Sequence, residues 1–199
     1  MLHRGLDFAA FYNLLFPAMW VAWAVYWWSP SHSLKATARR ESIYSRLSYF
    51  VPLLLAVILL FSPTLPIPVL GDRFLPLAQW RVWGAIGAAV NLAGLLFTVW
   101  ARIHLGRNWS GTVTLKQDHE LITSGPYAWV RHPIYTGLLL GFVGLAIARG
   151  EWRSILAVVI IAFAFWRKLR IEESWMLEQF GDAYRSYRQR VAALIPGVI

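Results

Sequence analysis

The chain has 199 residues, a length that fits one domain, with 58% apolar and only 15% charged residues, a positive mean hydropathy, 12 Trp and no Cys. Too little charge is available to cover a soluble surface, and the absence of Cys excludes disulfides, thiol nucleophiles and Cys-ligated metals. The net charge of +9 suits either a polyanion-binding face or basic loops beside a membrane, and the placement of the charges decides between them.

A span needs roughly 20 apolar residues. The first candidate covers about 8–28 and ends in Tyr26-Trp27-Trp28, a pattern of interfacial aromatics. It lacks the short core and small-residue cleavage site of a leader. The second covers about 47–62 and the third about 80–101. Between them the loop 63–79 carries Pro63, Pro66, Pro68 and Pro76 and reads as an extended extramembrane connection. The runs 134–148 and 154–166, separated by Arg149-Gly150-Glu151-Trp152-Arg153, read as a tight helical hairpin. Gly137, Gly141 and Gly144 lie on one side of its first helix, as close helix packing requires. Beyond it, Leu169, Met176, Phe180, Tyr184, Tyr187 and Val191 recur at three- and four-residue steps, the mark of an amphipathic helix or a pair broken at Gly181.

The expected fold is therefore all-α: a polytopic membrane helical bundle of about five transmembrane helices with a C-terminal amphipathic helix segment. Two parts are expected, 1–79 with two transmembrane helices and 80–199 with the remaining three. Five spans put the termini on opposite sides. Of the Lys and Arg residues, fourteen fall in the first loop, the third loop and the C-terminal segment, against five on the other side. The N-terminus is then outside, with the third loop and the C-terminus cytoplasmic. Charge spread over juxtamembrane loops needs no nucleic-acid partner.

Polar residues concentrate in 104–132 and 167–190, both on the expected cytoplasmic side. Pro133 is a favoured first helical residue, which puts Arg131 and His132 at the start of the fourth span, where backbone N–H groups favour an anion. The same pair also suits an interfacial cation and a simple helix cap. Glu173 falls on the apolar stripe of the C-terminal helix with Glu172 beside it, and a carboxylate there needs a partner. An Arg–Glu pair at the membrane surface would satisfy that need as well as a ligand would. The five His have no paired metal spacing, and neither a dinucleotide fingerprint, a phosphate loop nor a nucleophile elbow is present.

The segments LGRNWSG (105–111), HELITSGPYAWVRHPIYTG (119–137) and RIEESWMLEQFGDAYRSYRQRVAALIP (170–196) resemble the isoprenylcysteine carboxyl methyltransferases, a family grouped with the phospholipid N-methyltransferases. The resemblance covers roughly 80–199. It implies a small bundle of membrane helices that binds S-adenosylmethionine in a cytoplasmic pocket and receives a lipophilic methyl acceptor from the bilayer, among membrane lipids. By the same resemblance the cofactor positions fall on Gly125, Tyr127, His132, Tyr135, Glu172, Glu173, Tyr184 and Tyr187, the essential arginines on Arg131 and Arg170, and the start of the loop on His104 and Asn108. The first two spans match no motif. Phospholipid N-methylation, thiol S-methylation, a sterol-reductase-like nicotinamide enzyme and a transporter or heme-associated subunit are the other readings. The Arg-x-Glu-Glu segment and the small size weigh against the reductase, the scarcity of charge within the spans against a transporter, and the placement of His, with only His104 and His132 near helix ends, against a heme subunit.

Overall fold

A computed structural model describes residues 2–29, 37–61, 68–109, 114–116 and 120–198. Of the proline-rich loop 63–79, residues 63–67 lie outside the described residues, as do Asp118 and His119, and the rest is not extended throughout but carries a helical turn at Pro68–Gly71 and a tighter turn at Leu77–Gln79. The described part is predominantly helical: α1 Leu2–Trp28, α2 Ile43–Phe61, a single turn α3 Pro68–Gly71, α4 Trp80–Leu105, α5 Pro133–Arg149 and α6 Trp152–Arg190. By length and composition, two of the described helices suffice to cross a membrane, Ile43–Phe61 and the one beginning at Trp80, and the apolar Pro133–Arg149 is shorter. Large side chains such as Leu55, Ile58, Leu96, Ile103, Val159 and Phe163 point outward from α2, α4 and α6, as lipid-facing residues do.

Two features differ from the all-α expectation. Thr37–Arg40 (β1) pairs antiparallel with Thr114–Lys116 (β2), a short ribbon joining the first and third loops. The fifth apolar run and the amphipathic segment are not separate helices. They run together as helix from Trp152 to the kink where Gly181 takes φ 50°, ψ −120°, the break expected from the sequence, and a last helical piece follows to Arg190, the whole being labelled α6. The hairpin itself is present: Gly150 ends α5 in a left-handed conformation, and Glu151 precedes the first turn of α6.

The pair α4 and α5 packs along most of its length, and glycine makes this possible. A Cβ on Gly94 would lie 2.5 Å from the Gly137 carbonyl oxygen and the Gly141 nitrogen, and one on Gly137 would lie 2.6 Å from the Gly94 oxygen. The glycine stripe read from the sequence is this interface. Asn91 adds a buried bond from Nδ2 to the Gly141 carbonyl at 2.7 Å. We expect Gly94→Ala to force the helices apart, with a loss of about 1–3 kcal/mol, seen as a lower melting temperature in detergent. Gly71→Ala, which meets nothing within 4 Å, is the control. Equal melting temperatures for the two variants would refute the backbone-contact argument.

The core collects Phe16 of α1, Ala56, Leu59 and Leu60 of α2, Tyr135, Phe142 and Leu145 of α5, and Ala157, Ile161, Phe165 and Leu169 of α6. α1 is tied to α4 by polar contacts. Trp23 Nε1 donates to Thr98 Oγ1 at 2.6 Å, and Arg102 donates to the Tyr26 carbonyl at 2.8 Å and the Ser29 carbonyl at 3.2 Å. A cation on the last carbonyls of α1 also meets the negative end of its dipole. The Arg102 guanidinium lies 4.1 Å from the centre of the Trp109 ring, which fixes the start of the third loop.

Candidate active site

Three pieces of backbone build the site: the turn before α5, the first turn of α5, and the last third of α6 with the residues after it. Gly125 opens the turn with φ +59°, and a Cβ there would lie 2.7 Å from the His104 ring. Both the conformation and the space demand glycine. The His104 ring packs against Tyr127, and its Nε2 lies 2.9 Å from Ser124 Oγ. Tyr127 is buried, and its carbonyl accepts a bond from the Tyr187 hydroxyl at 2.6 Å.

The segment after α6 straps this turn down. Arg131 N–H donates to the Ala192 carbonyl at 2.8 Å, His132 N–H to the Ala193 carbonyl at 3.0 Å, and Thr136 Oγ1 to the Leu194 carbonyl at 2.7 Å. The main-chain donors of Arg131 and His132 are thus consumed inside the protein. The sequence-based expectation of free N–H groups awaiting an anion is corrected at these two positions. His132 sits at the N-cap but makes no side-chain cap bond. Its ring faces α6 instead.

There the charged side chains converge. Arg131 Nε and Nη2 each lie 2.8 Å from Glu173 Oε1, and Nη1 donates to the carbonyls of Arg188, at 3.1 Å, and Val191. His132 Nε2 lies 3.3 Å from Glu173 Oε1, and Nδ1 lies 3.6 Å from Glu172 Oε2. The Tyr135 hydroxyl donates to Glu172 Oε1. The side chains of Arg131, His132 and Glu173 are 7%, 9% and 5% exposed, whereas Glu172 is 25% exposed and opens to the cavity. Burial opposes charge on Glu173, but its bond to His132 and the nearby charges of His132 and Arg131 outweigh it and bring its pKa down to about 2. Burial likewise opposes charge on Glu172, yet His132, Lys168 and Tyr135 hold its pKa low. The two carboxylates in turn overcome the burial of His132 and raise its pKa. Burial, followed by the carboxylate charges, pushes the Tyr127 and Tyr184 hydroxyls up, and Tyr187 is pushed up to about 12, chiefly by burial.

Beside this cluster lies a cavity of about 360 Å³. Its charged half is lined by Arg131, His132, Glu172 and Lys168 with Tyr127, Tyr135, Tyr184 and Tyr187. Trp20, Trp23, Leu53, Val57, Leu138, Phe142 and Phe165 line the apolar half, where Trp20 stacks on Phe142 at 4.6 Å. Asn108, Trp109, Glu120, Leu121 and Ile122 line the side of the third loop.

Of the residues expected from the sequence, Tyr127, Arg131, His132, Tyr135, Glu172, Tyr184 and Tyr187 line the cavity, and Glu173 stands directly behind Arg131 and His132. Asn108 is in the lining, whereas Gly125 and His104 support Tyr127 from behind. Arg170 is not brought to the site. It is exposed with Trp166, Ser174 and Glu178, a stripe at four-residue spacing on the outer face of α6. The buried stripe is Ile161, Phe165, Leu169 and Glu173. Sequence reasoning missed Lys168, although its four-residue step to Glu172 puts both on one face, and it missed the wall that α1 and α2 contribute.

The sequence is similar to those of known proteins. A protein-S-isoprenylcysteine O-methyltransferase from Schizosaccharomyces pombe is 34% identical over 99 residues, 48% of this chain and 42% of that protein. The enzyme of the same name from Tribolium castaneum is 34% identical over 114 residues, 56% of this chain and 41% of that protein. The chain thus spans about two fifths of the length of these curated relatives. A solved structure of a eukaryotic intramembrane Ras methyltransferase, an isoprenylcysteine carboxyl methyltransferase, is 28% identical, with 78% of this chain and 52% of that chain covered at a TM-score of 0.49. The two curated relatives bear out the resemblance seen in the sequence motifs. The phospholipid methyltransferase family matches residues 82–183, just over half of the chain and all of the stretch from α4 to the Glu172–Glu173 pair, so the chain belongs to that family.

Proposed function

We propose that this chain is an integral membrane methyltransferase that uses S-adenosylmethionine to methylate the carboxylate of an isoprenylcysteine-like or other lipophilic acceptor. The supporting observation is a single cavity that is charged at one end and apolar at the other. The donor set fits the cofactor: a carboxylate, Glu172, opens to the cavity and suits an amine or ribose hydroxyls, Arg131 and His132 supply cationic groups for a carboxylate, and tyrosine rings suit an adenine or a sulfonium. When bound, S-adenosylmethionine supplies a methyl group on a positively charged sulfur, which becomes a neutral thioether once an acceptor atom has taken the methyl.

The protein's own residues then have three tasks. Arg131, His132, Glu172 and Glu173 form a fixed charged wall that binds and orients. Trp20, Trp23, Leu53, Val57 and Phe142 hold an apolar tail and keep water out. No side chain need take a proton, because a carboxylate acceptor is already anionic at neutral pH. An amine or thiol acceptor needs a base, and the pairing of His132 with Glu172 and Glu173 favours the charged form of all three, so none is poised to take a proton. That favours the carboxylate over phospholipid N- or thiol S-methylation. The division at residue 79, the count of five spans, and a cytoplasmic face for the third loop and C-terminus belong to this proposal, on the basic-residue count given above.

Calorimetry in detergent tests the cofactor site. Wild type is expected to bind S-adenosylmethionine, and Glu172→Gln and His132→Ala are expected to bind at least about tenfold more weakly, a change of roughly 1.4 kcal/mol. No binding by wild type would overturn the proposal, and wild-type affinity in both variants would overturn the site. Labelled methyl groups offered with a prenylcysteine, phosphatidylethanolamine and a thiol should appear on the first.

A further inference from the structure

Lys168 stands at the boundary between the two halves of the cavity. On α6 the lining runs Phe165, Lys168, Glu172, Met176, and on the facing helix it runs Phe142, Leu138, Tyr135, His132. Both helices change from apolar to charged at the same level. The Lys168 ammonium lies 5.3 Å from the Tyr49 ring centre and 5.2 Å from the Tyr135 ring centre, so two aromatic faces from α2 and α5 flank it. Tyr135 in turn stacks on Phe165 at 5.1 Å on the apolar side and on His132 at 5.6 Å on the charged side. Glu173 is already matched by Arg131 and His132, and Glu172 by His132 and the Tyr135 hydroxyl. Around the Glu172–Glu173 pair stand four cations, Arg131, His132, Lys168 and, at 3.7 Å from Glu173, Arg188, while Glu120 adds a third carboxylate on the third-loop side of the cavity.

We propose that Lys168 binds the carboxylate of the methyl acceptor and makes the site selective for anionic over neutral acceptors. The inference rests on the methyltransferase reading and names the residue that fixes its acceptor class. An acceptor with an apolar tail and a carboxylate head fills the apolar half and leaves its head at the level of Lys168. A positively charged methyl donor and a positively charged lysine in one low-dielectric cavity repel each other. An anionic head offsets both charges, and a neutral head offsets neither. The flexible stem of a lysine can lie along apolar surface while its ammonium reaches the boundary, and Phe165 and Leu138 share the lining with Lys168.

The test uses the full-length protein in detergent, an S-prenylated N-acylcysteine as acceptor, and its uncharged carboxamide as a competitive inhibitor. Lys168→Met is expected to raise KM for the carboxylate at least tenfold while the inhibition constant of the carboxamide and the calorimetric affinity for S-adenosylmethionine change less than threefold. Lys168→Arg should restore most of the carboxylate KM. An unchanged KM in Lys168→Met overturns the proposal, as does a parallel loss for carboxylate and carboxamide, which marks a structural role. Loss of S-adenosylmethionine affinity in Lys168→Met also overturns it, by assigning Lys168 to the cofactor. Failure of the methyltransferase reading would look different: wild type itself would neither bind the cofactor nor methylate the acceptor.

Discussion

Arg131→Met should abolish S-adenosylmethionine binding and destabilise the protein more than any other single change in the charged wall. The guanidinium does four things at once. It neutralises Glu173 with two contacts at 2.8 Å, and it caps the carbonyls of Arg188 and Val191 at the end of α6. It thereby holds the strap 192–194 in register with the turn before α5, and it lines the cavity. Removing one partner of a buried pair leaves an uncompensated charge, at a cost of about 3–5 kcal/mol. Glu173, with a side chain 5% exposed, would be that charge, left with His132 at 3.3 Å, Arg188 at 3.7 Å and the Tyr184 hydroxyl near it.

Lysine should not rescue the position. A point charge with a flexible stem can meet Glu173 or the α6 carbonyls but not all of them in one fork. The double variant Arg131→Met/Glu173→Gln separates structure from function. Removing both charges should recover much of the melting temperature lost in Arg131→Met, while cofactor binding stays absent. Thermal unfolding and calorimetry in the same detergent check both halves of this expectation. Wild-type stability in Arg131→Lys would show that the fork geometry is unimportant.

The parts of this site that were legible in the sequence are the parts carried by local pattern. Pro133 marks the start of α5 through its fixed φ, which placed Arg131 and His132 at a helix end. The 3.6-residue period put Glu173 on the buried face of α6, where it is found. The outward position of Arg170, carried over from the motif, has a related reason. A motif match ranks residues by identity, but the helical rotation puts Arg170 in line with Trp166, Ser174 and Glu178 on the outer face. The aromatic wall was not legible at all. Trp20 and Trp23 stood only as part of the apolar run 8–28, and what makes them cavity residues is the docking of α1 on α4. That docking rests on Trp23–Thr98 and Arg102–Tyr26, contacts between residues 75 and 76 positions apart, beyond the reach of any periodicity. The strap after α6 was hidden in the same way, because its partners at 130–136 lie about sixty residues earlier.

The second large effect concerns pH. The Arg131–His132–Glu172–Glu173 cluster should stabilise the fold most between about pH 4.5 and 6.5 and weaken on both sides. On the acid side, the Glu173 pKa falls from 4.5 to about 2 on folding. A depressed carboxylate contributes fully above its unfolded value and loses that contribution as the pH falls through the folded one. Glu172, also lowered, acts in the same direction. On the alkaline side, the His132 pKa is raised above its ordinary 6.5. Its contribution is complete below 6.5 and is lost as the pH rises through the folded value, when the imidazolium between the two carboxylates releases its proton. Melting temperatures across about pH 3 to 9 should therefore show two limbs with different owners. His132→Gln should flatten the alkaline limb and leave the acid one. Glu173→Gln should shrink the acid limb and, by removing a partner of His132, move the alkaline limb to lower pH. An alkaline limb that survives unchanged in His132→Gln would assign it to another group. Cofactor affinity should follow the alkaline limb, because the charge that falls away there belongs to a residue lining the cavity.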